Sequence, residues 1–199
     1  MSWKYNSAEV DTPTPSTGLD MATAQGGLRP SARNINTGGQ GAQLAADGNN
    51  STPVVTELYV AELYVPATVL ATGVAVFAGS VWSDNFKVGL YNANGVLLRA
   101  TASTAGNTTA DAYQRAAFAT DGAGAAATTI VLPGPGTYYL GLCLDGTTSR
   151  YNTFAVGNFG AGKITGLVYA TNFAVGGTAL TITPPTTFTA NLGPIMGLY

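Results

Sequence analysis

Residues 86–100 read Phe86-Lys87-Val88-Gly89-Leu90-Tyr91-Asn92-Ala93-Asn94-Gly95-Val96-Leu97-Leu98-Arg99-Ala100. The first five alternate, so Phe86, Val88 and Leu90 share one face of an extended strand. Asn92-Ala93-Asn94-Gly95 turns the chain and the run from Val96 brings it back. The stretch is a β-hairpin, with Gly95 at the position that requires a positive φ.

Further runs follow, at Thr128–Leu132, Thr137–Leu144, Tyr151–Val156, Leu167–Ala170 and Ala179–Thr183. Glycine, proline and asparagine fill almost every gap between them. Asp145-Gly146-Thr147-Thr148 reads as a second hairpin turn. The closing run Pro194–Tyr199 reads as a final strand, paired within the chain or with a neighbouring subunit's sheet edge. Ala110–Phe118 has some helical propensity. A strand is the better reading, with Tyr113, Arg115 and Ala117 on one face and Gln114, Ala116 and Phe118 on the other. Eight to ten short strands without helical crossovers pair antiparallel. The expected fold is therefore all-β, an antiparallel β-sandwich of jelly-roll type.

The tetrapeptide Glu57-Leu58-Tyr59-Val60 recurs as Glu62-Leu63-Tyr64-Val65. Five is odd, so in a regular strand the two copies point opposite ways. Either a bulge or break near Ala61 restores register, or both faces are covered, a need that a long strand passing from one sheet to another would meet.

Composition changes near Pro53. Residues 1–53 are rich in Thr, Pro, Gly, Asn, Ala and Gln, with Trp3, Tyr5, Leu19, Leu28, Ile35 and Leu44 as isolated apolar positions. Pro13, Pro15 and Pro30 oppose regular structure, and Gly38-Gly39 and Asp47-Gly48-Asn49-Asn50 read as turns. The expected organisation is an extended anchoring arm, 1–53, followed by the β domain, 54–199.

Hydrophobic residues make up 46% of the 199, enough for a substantial core, whereas charged residues make up only 9%, against roughly 25% in an average soluble domain. The surface must then be built from Thr, Asn, Ser and Gly, without the repulsion that keeps most proteins apart. The net charge is −2 and the eight basic residues are scattered, so no stripe tracks nucleic-acid phosphates and no polybasic patch meets a membrane. The start, Met1-Ser2-Trp3-Lys4-Tyr5-Asn6, has no apolar signal core, and no run of about 20 apolar residues occurs. The expectation is a product of the cytoplasm that leaves the cell by another route, such as lysis.

The sequence contains no histidine. That removes the commonest general base and the Ser-His-Asp and Cys-His arrangements. The lone Cys143 forms no intramolecular disulfide and reads as a core residue. Asp84, Asp121 and Asp145 sit in turns, and odd spacing separates Glu57 from Glu62, so no carboxylate pair flanks a substrate. No loop has the acidic density that calcium requires. Ser83-Asp84-Asn85 matches a β-lactamase tripeptide but lacks the Ser-x-x-Lys partner. No enzyme activity, metal or cofactor is expected. Trp82, Tyr91, Tyr151 and Phe159, near predicted turns, are the candidates for stacking on sugar rings.

The run Pro135-Gly136-Thr137-Tyr138-Tyr139-Leu140-Gly141-Leu142 precedes Asp145-Gly146-Thr147-Thr148. The chain closes through Thr181-Ile182-Thr183-Pro184-Pro185-Thr186-Thr187-Phe188-Thr189, Gly193-Pro194 and Leu198-Tyr199. With Lys87–Asn92 and Ala112–Arg115, these segments resemble β-sandwich proteins of tailed-bacteriophage virions: head decoration (cement) proteins, head fibres or tail components. The resemblance covers residues 54–199. It implies no enzyme activity or cofactor, and a protein displayed in many copies on the particle, often as a homotrimer. The first functional expectation is a decoration protein on the outer surface of the capsid. Its arm would grip the major capsid protein through Trp3, Tyr5, Leu28, Arg29 and Arg33. The alternative is a fibre or receptor-binding module that holds host polysaccharide through the four aromatics named above.

Overall fold

The computed structural model describes residues 47–55, 57–154, 166–169, 181–186 and 192–199. Among them are twelve strands and no helix. In chain order they are β1 (Asp47–Ser51), β2 (Glu57–Val65), β3 (Val69–Ala71), β4 (Gly73–Phe77), β5 (Phe86–Tyr91) and β6 (Leu97–Thr101). Then come β7 (Tyr113–Asp121), β8 (Ile130–Leu132), β9 (Gly136–Leu144), β10 (Tyr151–Phe154), β11 (Gly166–Tyr169) and β12 (Met196–Leu198). Eight form one curled antiparallel sheet, a half-barrel, in the order β11-β2-β9-β5-β6-β7-β4-β12. Two short ribbons, β1–β10 and β3–β8, accompany it.

The hairpin read from residues 86–100 is β5–β6, with Gly89 opposite Ala100 and Leu90 opposite Arg99. The side-chain oxygen of Asn92 accepts the backbone N–H groups of Asn94 and Val96, each at 3.0 Å. Gly95 has φ 77°, in the left-handed region that favours glycine. Phe86, Val88 and Leu90 all enter the main core.

Residues 113–121 form a strand, as the alternation predicts. Gln114, Ala116 and Phe118 are buried, while Arg115 and Ala117 are exposed. β7 is also where the sheet turns its corner. Its first half, Tyr113 to Ala117, pairs with β4, and its second half, from Phe118, pairs with β6. The register of β6 shifts at the same place, between Ala100 and Thr101. A strand that changes partners midway lets a twisted sheet bend around its own core.

The repeated Glu-Leu-Tyr-Val lies in β2, whose register against β9 runs unbroken from Tyr59↔Leu142 to Val65↔Gly136. There is no bulge at Ala61. Leu58 belongs to a cluster on the outer face and Leu63 to the main core inside the curl. Both faces are covered along the first copy, whereas in the second Tyr64 faces solvent, and the strand that turns the corner is β7.

Three local readings change, and one open alternative closes. Asp47–Ser51 is not a turn but strand β1, paired with β10 across a register shift between Asp47 and Asn50. A strand therefore lies inside the predicted arm, at Asp47–Ser51. Asp145–Thr148 does not close a hairpin, because both edges of β9 are taken, by β2 and β5, and β10 pairs with β1. Within Ala179–Thr183, Thr181 makes a single bridge to Val96. Ile182 and Thr183 belong to no strand. The closing strand, β12, pairs with β4 of its own chain.

Phe118 is 2% exposed at the corner, whereas Tyr64 is 46% exposed. Phe118→Ala is expected to cost about 3–5 kcal/mol in urea unfolding. Tyr64→Ala should stay within about 0.5 kcal/mol of the parent. Equal losses would refute this assignment of inside and outside.

Candidate functional site

Of the four aromatics predicted to meet a sugar, three lie in the interior. Trp82, Tyr91 and Tyr151 are each 0% exposed. Trp82 packs edge-on against Phe86 with ring centroids 5.0 Å apart. The phenol of Tyr91 lies over Gly89, where a Cβ would stand 2.7 Å from the ring. Tyr151 meets the Tyr59 ring at 5.0 Å and donates to the Leu192 carbonyl at 3.1 Å. None offers a ring face to a pyranose, which corrects the sugar-stacking expectation for these three. Phe159 and the arm residues Trp3, Tyr5, Leu28, Arg29 and Arg33 lie outside the described residues. Among the described residues the aromatic that is exposed is Tyr64, and the odd repeat spacing pointed to it. With Tyr59 facing in, Tyr64 must face out.

The carboxylates take up backbone N–H groups rather than converging on a substrate. Asp84 Oδ2 accepts from Thr148 N at 2.9 Å and Ser149 N at 2.6 Å. In return, Ser149 Oγ accepts from Ser83 N at 2.9 Å and Asp84 N at 2.7 Å. Asp145 holds Asn85 through both oxygens, at 2.9 Å from N and 2.6 Å from Nδ2. The tripeptide Ser83-Asp84-Asn85 is thus a reciprocal bolt between the loops before β5 and after β9. Asp121 caps its own turn by accepting from Ala123 N and Ala125 N, each at 2.9 Å.

Two arginines mirror this pattern. Arg150 donates to the carbonyls of Thr147, Thr148 and Ser149, and Arg99 to those of Thr129 and Leu98. Glu57 accepts the Tyr59 hydroxyl at 2.7 Å. Glu62 stands opposite Tyr139 on the other face of β2. Among the described residues no three His, Cys, Asp or Glu side chains gather as a metal site. Cys143 is buried, and that burial drives its thiol pKa up, against the smaller pull of Lys87.

The entry of the chain into the domain is tightly fastened. Asn50 Oδ1 accepts Ser80 N at 3.1 Å while its Nδ2 donates to Ser80 Oγ. Ser51 pairs with Tyr151, and Val54 N donates to the Tyr59 hydroxyl at 2.8 Å. These contacts tie the residues that follow position 46 to β4, β10 and β2.

Comparison with known proteins finds no match to this chain among family models, curated proteins or solved structures.

Removing the Asp84 carboxylate leaves two backbone donors without their acceptor. Asp84→Ala should lower unfolding free energy by about 1–3 kcal/mol, and Asp84→Asn, which keeps an acceptor oxygen, by less. Thermal melts of both variants check the order.

Burial raises the Tyr91 phenol above the ordinary 10.0, with a smaller contribution from Cys143. It does the same for Tyr151, assisted by Tyr59 and Glu57. In the unfolded chain these phenols lose protons near their ordinary value while the folded ones keep them. Their contribution to stability is complete below about pH 10 and falls as pH rises above it. Alkaline titration followed at the tyrosinate absorbance should show these two ionising only together with unfolding. Smooth ionisation with the fold intact would contradict their burial.

Proposed function

We propose that this chain is a structural protein of a tailed-bacteriophage virion. In this reading it is a decoration protein that stands on the capsid and is tethered to the major capsid lattice by its N-terminal residues. The observation that carries the reading is the fastening at Asn50, Ser51 and Val54. A segment that must bear load needs its root held at several points, because a single exposed hydrogen bond is worth only about 1 kcal/mol. The charge-poor sequence adds support, since copies crowded on a shell gain from the absence of like-charge repulsion. The sequence resemblance of residues 54–199 to virion β-sandwich proteins points the same way.

In this reading Trp3, Tyr5, Leu28, Arg29 and Arg33 are the anchors. Apolar side chains fill shallow pockets on capsid subunits and the arginines meet carboxylates or carbonyls. Each arm pays an ordering entropy, so single copies bind modestly and many copies on one lattice gain avidity. The curled sheet and its two ribbons act as a sandwich of jelly-roll type, arranged as homotrimers on the outer surface.

A chain lacking residues 1–46 keeps β1 and every fastening described above. It should melt within a few degrees of the full-length protein, roughly what a change below 1 kcal/mol produces. It should also fail to occupy capsids that were stripped of the native protein. Normal occupancy by the truncated chain, quantified by cryo-electron microscopy, would overturn the tether.

A further inference from the structure

Asn-Gly occurs once in the sequence, at Asn94-Gly95, in the turn of the β5–β6 hairpin. The Asn94 side chain is exposed and has no hydrogen-bond partner among the described residues. Asp121 and Asp145 also precede glycine, but their carboxylates are engaged. One accepts from Ala123 N and Ala125 N, and the other holds Asn85. Glycine puts no side chain in the way of its own nitrogen. A free asparagine before glycine is therefore the place where the chain can attack one of its own side-chain amides.

In the closed turn that attack is blocked twice. The Gly95 N–H must lose its proton to become a nucleophile, and it donates to the Asn92 carbonyl at 2.9 Å. The Asn92 side-chain oxygen holds the N–H groups of Asn94 and Val96 on either side. The second block comes from residues 181–183, which lie against the turn. Ile182 N donates to the Gly95 carbonyl at 2.8 Å, and Thr181 bridges Val96. Gly95 is buried, and a Cβ there would stand 2.1 Å from the Ile182 carbonyl oxygen.

We propose that Asn94 is a site of self-modification, gated by the turn and by its contact with Ile182. When both open, the deprotonated Gly95 nitrogen bonds to Asn94 Cγ, the Cγ–Nδ2 bond breaks and ammonia leaves. The resulting cyclic imide takes up water at either carbonyl. It yields aspartate or, with the main chain now running through the former side chain, isoaspartate. Nothing is oxidised or reduced, and water is the sole co-reactant. Isoaspartate adds a carbon to the main chain between two fixed ends, Asn92 and Val96. The turn then no longer closes. Ile182, part of the outer cluster with Tyr91 and Leu97, loses its seat against Gly95. A transient opening is thereby made permanent. The inference does not depend on the capsid reading, since it concerns the isolated chain.

Folded and urea-unfolded samples of the full chain, incubated side by side at mildly alkaline pH and followed by peptide mass spectrometry, test it. The unfolded chain should convert Asn94 to a mixture of aspartate and isoaspartate. The native chain should do so at least about tenfold more slowly, because the reacting state is reached only by opening several hydrogen bonds. Asn92→Ala removes the acceptor of two N–H groups and touches neither reacting atom. It should speed the native reaction about tenfold and leave the unfolded rate unchanged. Melting curves check that this variant is folded during the incubation. Where it is not, hydrogen exchange of the Gly95 amide in the parent chain takes its place. Protection of that amide and slowing of the modification should then match in order of magnitude, since one opening governs both. An unfolded chain that stays unmodified at Asn94 overturns the site, and equal rates in folded and unfolded chains overturn the gate. So does a folded Asn92→Ala chain that reacts no faster than the parent, or a Gly95 amide that exchanges freely while Asn94 stays protected.

Discussion

Strand β9 has a neighbour on each edge and packed side chains on each face, and much of the molecule adjusts to that double enclosure. From Tyr138 to Leu144 every residue is buried. Even-numbered side chains enter the curl, while Tyr139 and Cys143 join a separate outer cluster with Leu58, Val60, Tyr91, Leu97, Ala100 and Ile182. Two glycines make the outer layer possible. Gly89 and Gly141 stand directly opposite each other, and the missing side chains leave a trough. Tyr91 lies over one glycine and Leu58 over the other, where a Cβ would come within 3.0 Å of the leucine side chain. The arrangement leaves the Tyr91 hydroxyl buried with no hydrogen-bond partner among the described residues. Burying such a ring gains about 1.5–3 kcal/mol, and an unmatched polar group costs about 1–3. Tyr91 therefore serves shape more than stability.

With so few charges, the domain uses them for architecture. Asp84, Asp121, Asp145, Arg99 and Arg150 all end on backbone groups or on side chains in loops. Each supplies a charge-assisted bond, shorter and stronger than a neutral one. The gain is rigidity in segments rich in Gly, Thr and Ser that have little propensity of their own. The same economy leaves the outside nearly neutral. Neutrality is a hazard for a dilute protein that must stay solitary, and an advantage for one packed beside copies of itself. Loop rigidity and tolerance of crowding thus follow from a single compositional choice.

Local chemistry in the sequence was enough to read the β5–β6 hairpin, the alternation along β7 and the opposed faces of the two Glu-Leu-Tyr-Val copies. Each depends on residues close together in the chain. What escaped depends on distant partners. Asp47–Asn50 has turn-forming residues, and it becomes a strand because β10, about a hundred positions later, offers an edge. Asp145-Gly146 has hairpin chemistry, but β5 already occupies the edge that a returning strand would take. Turns flank the aromatics at 82, 91 and 151, and that chemistry alone points to the rim. The curl of the sheet and the cover over its outer face enclose them instead.

The fastening of the N-terminal entry also shows where a tether's load would travel. Asp47 pairs with Phe154 ahead of the register shift, and the Asn50–Ser80 contacts lie behind it. A pull from the preceding residues meets the isolated outer pair first and the multiply held residues second. Ser80 follows the end of β4. Tyr151 bridges Ala78 and its neighbour Thr153 bridges Pro194, so the entry, the corner strand's partner and the approach to β12 share one junction. Force reaching that junction spreads into both ends of the eight-stranded sheet, since β4 lies beside β12 at one end and Tyr59, on β2 near the other, receives Val54. A domain pulled from this end would resist as a unit, with the outer pair at Asp47 yielding first.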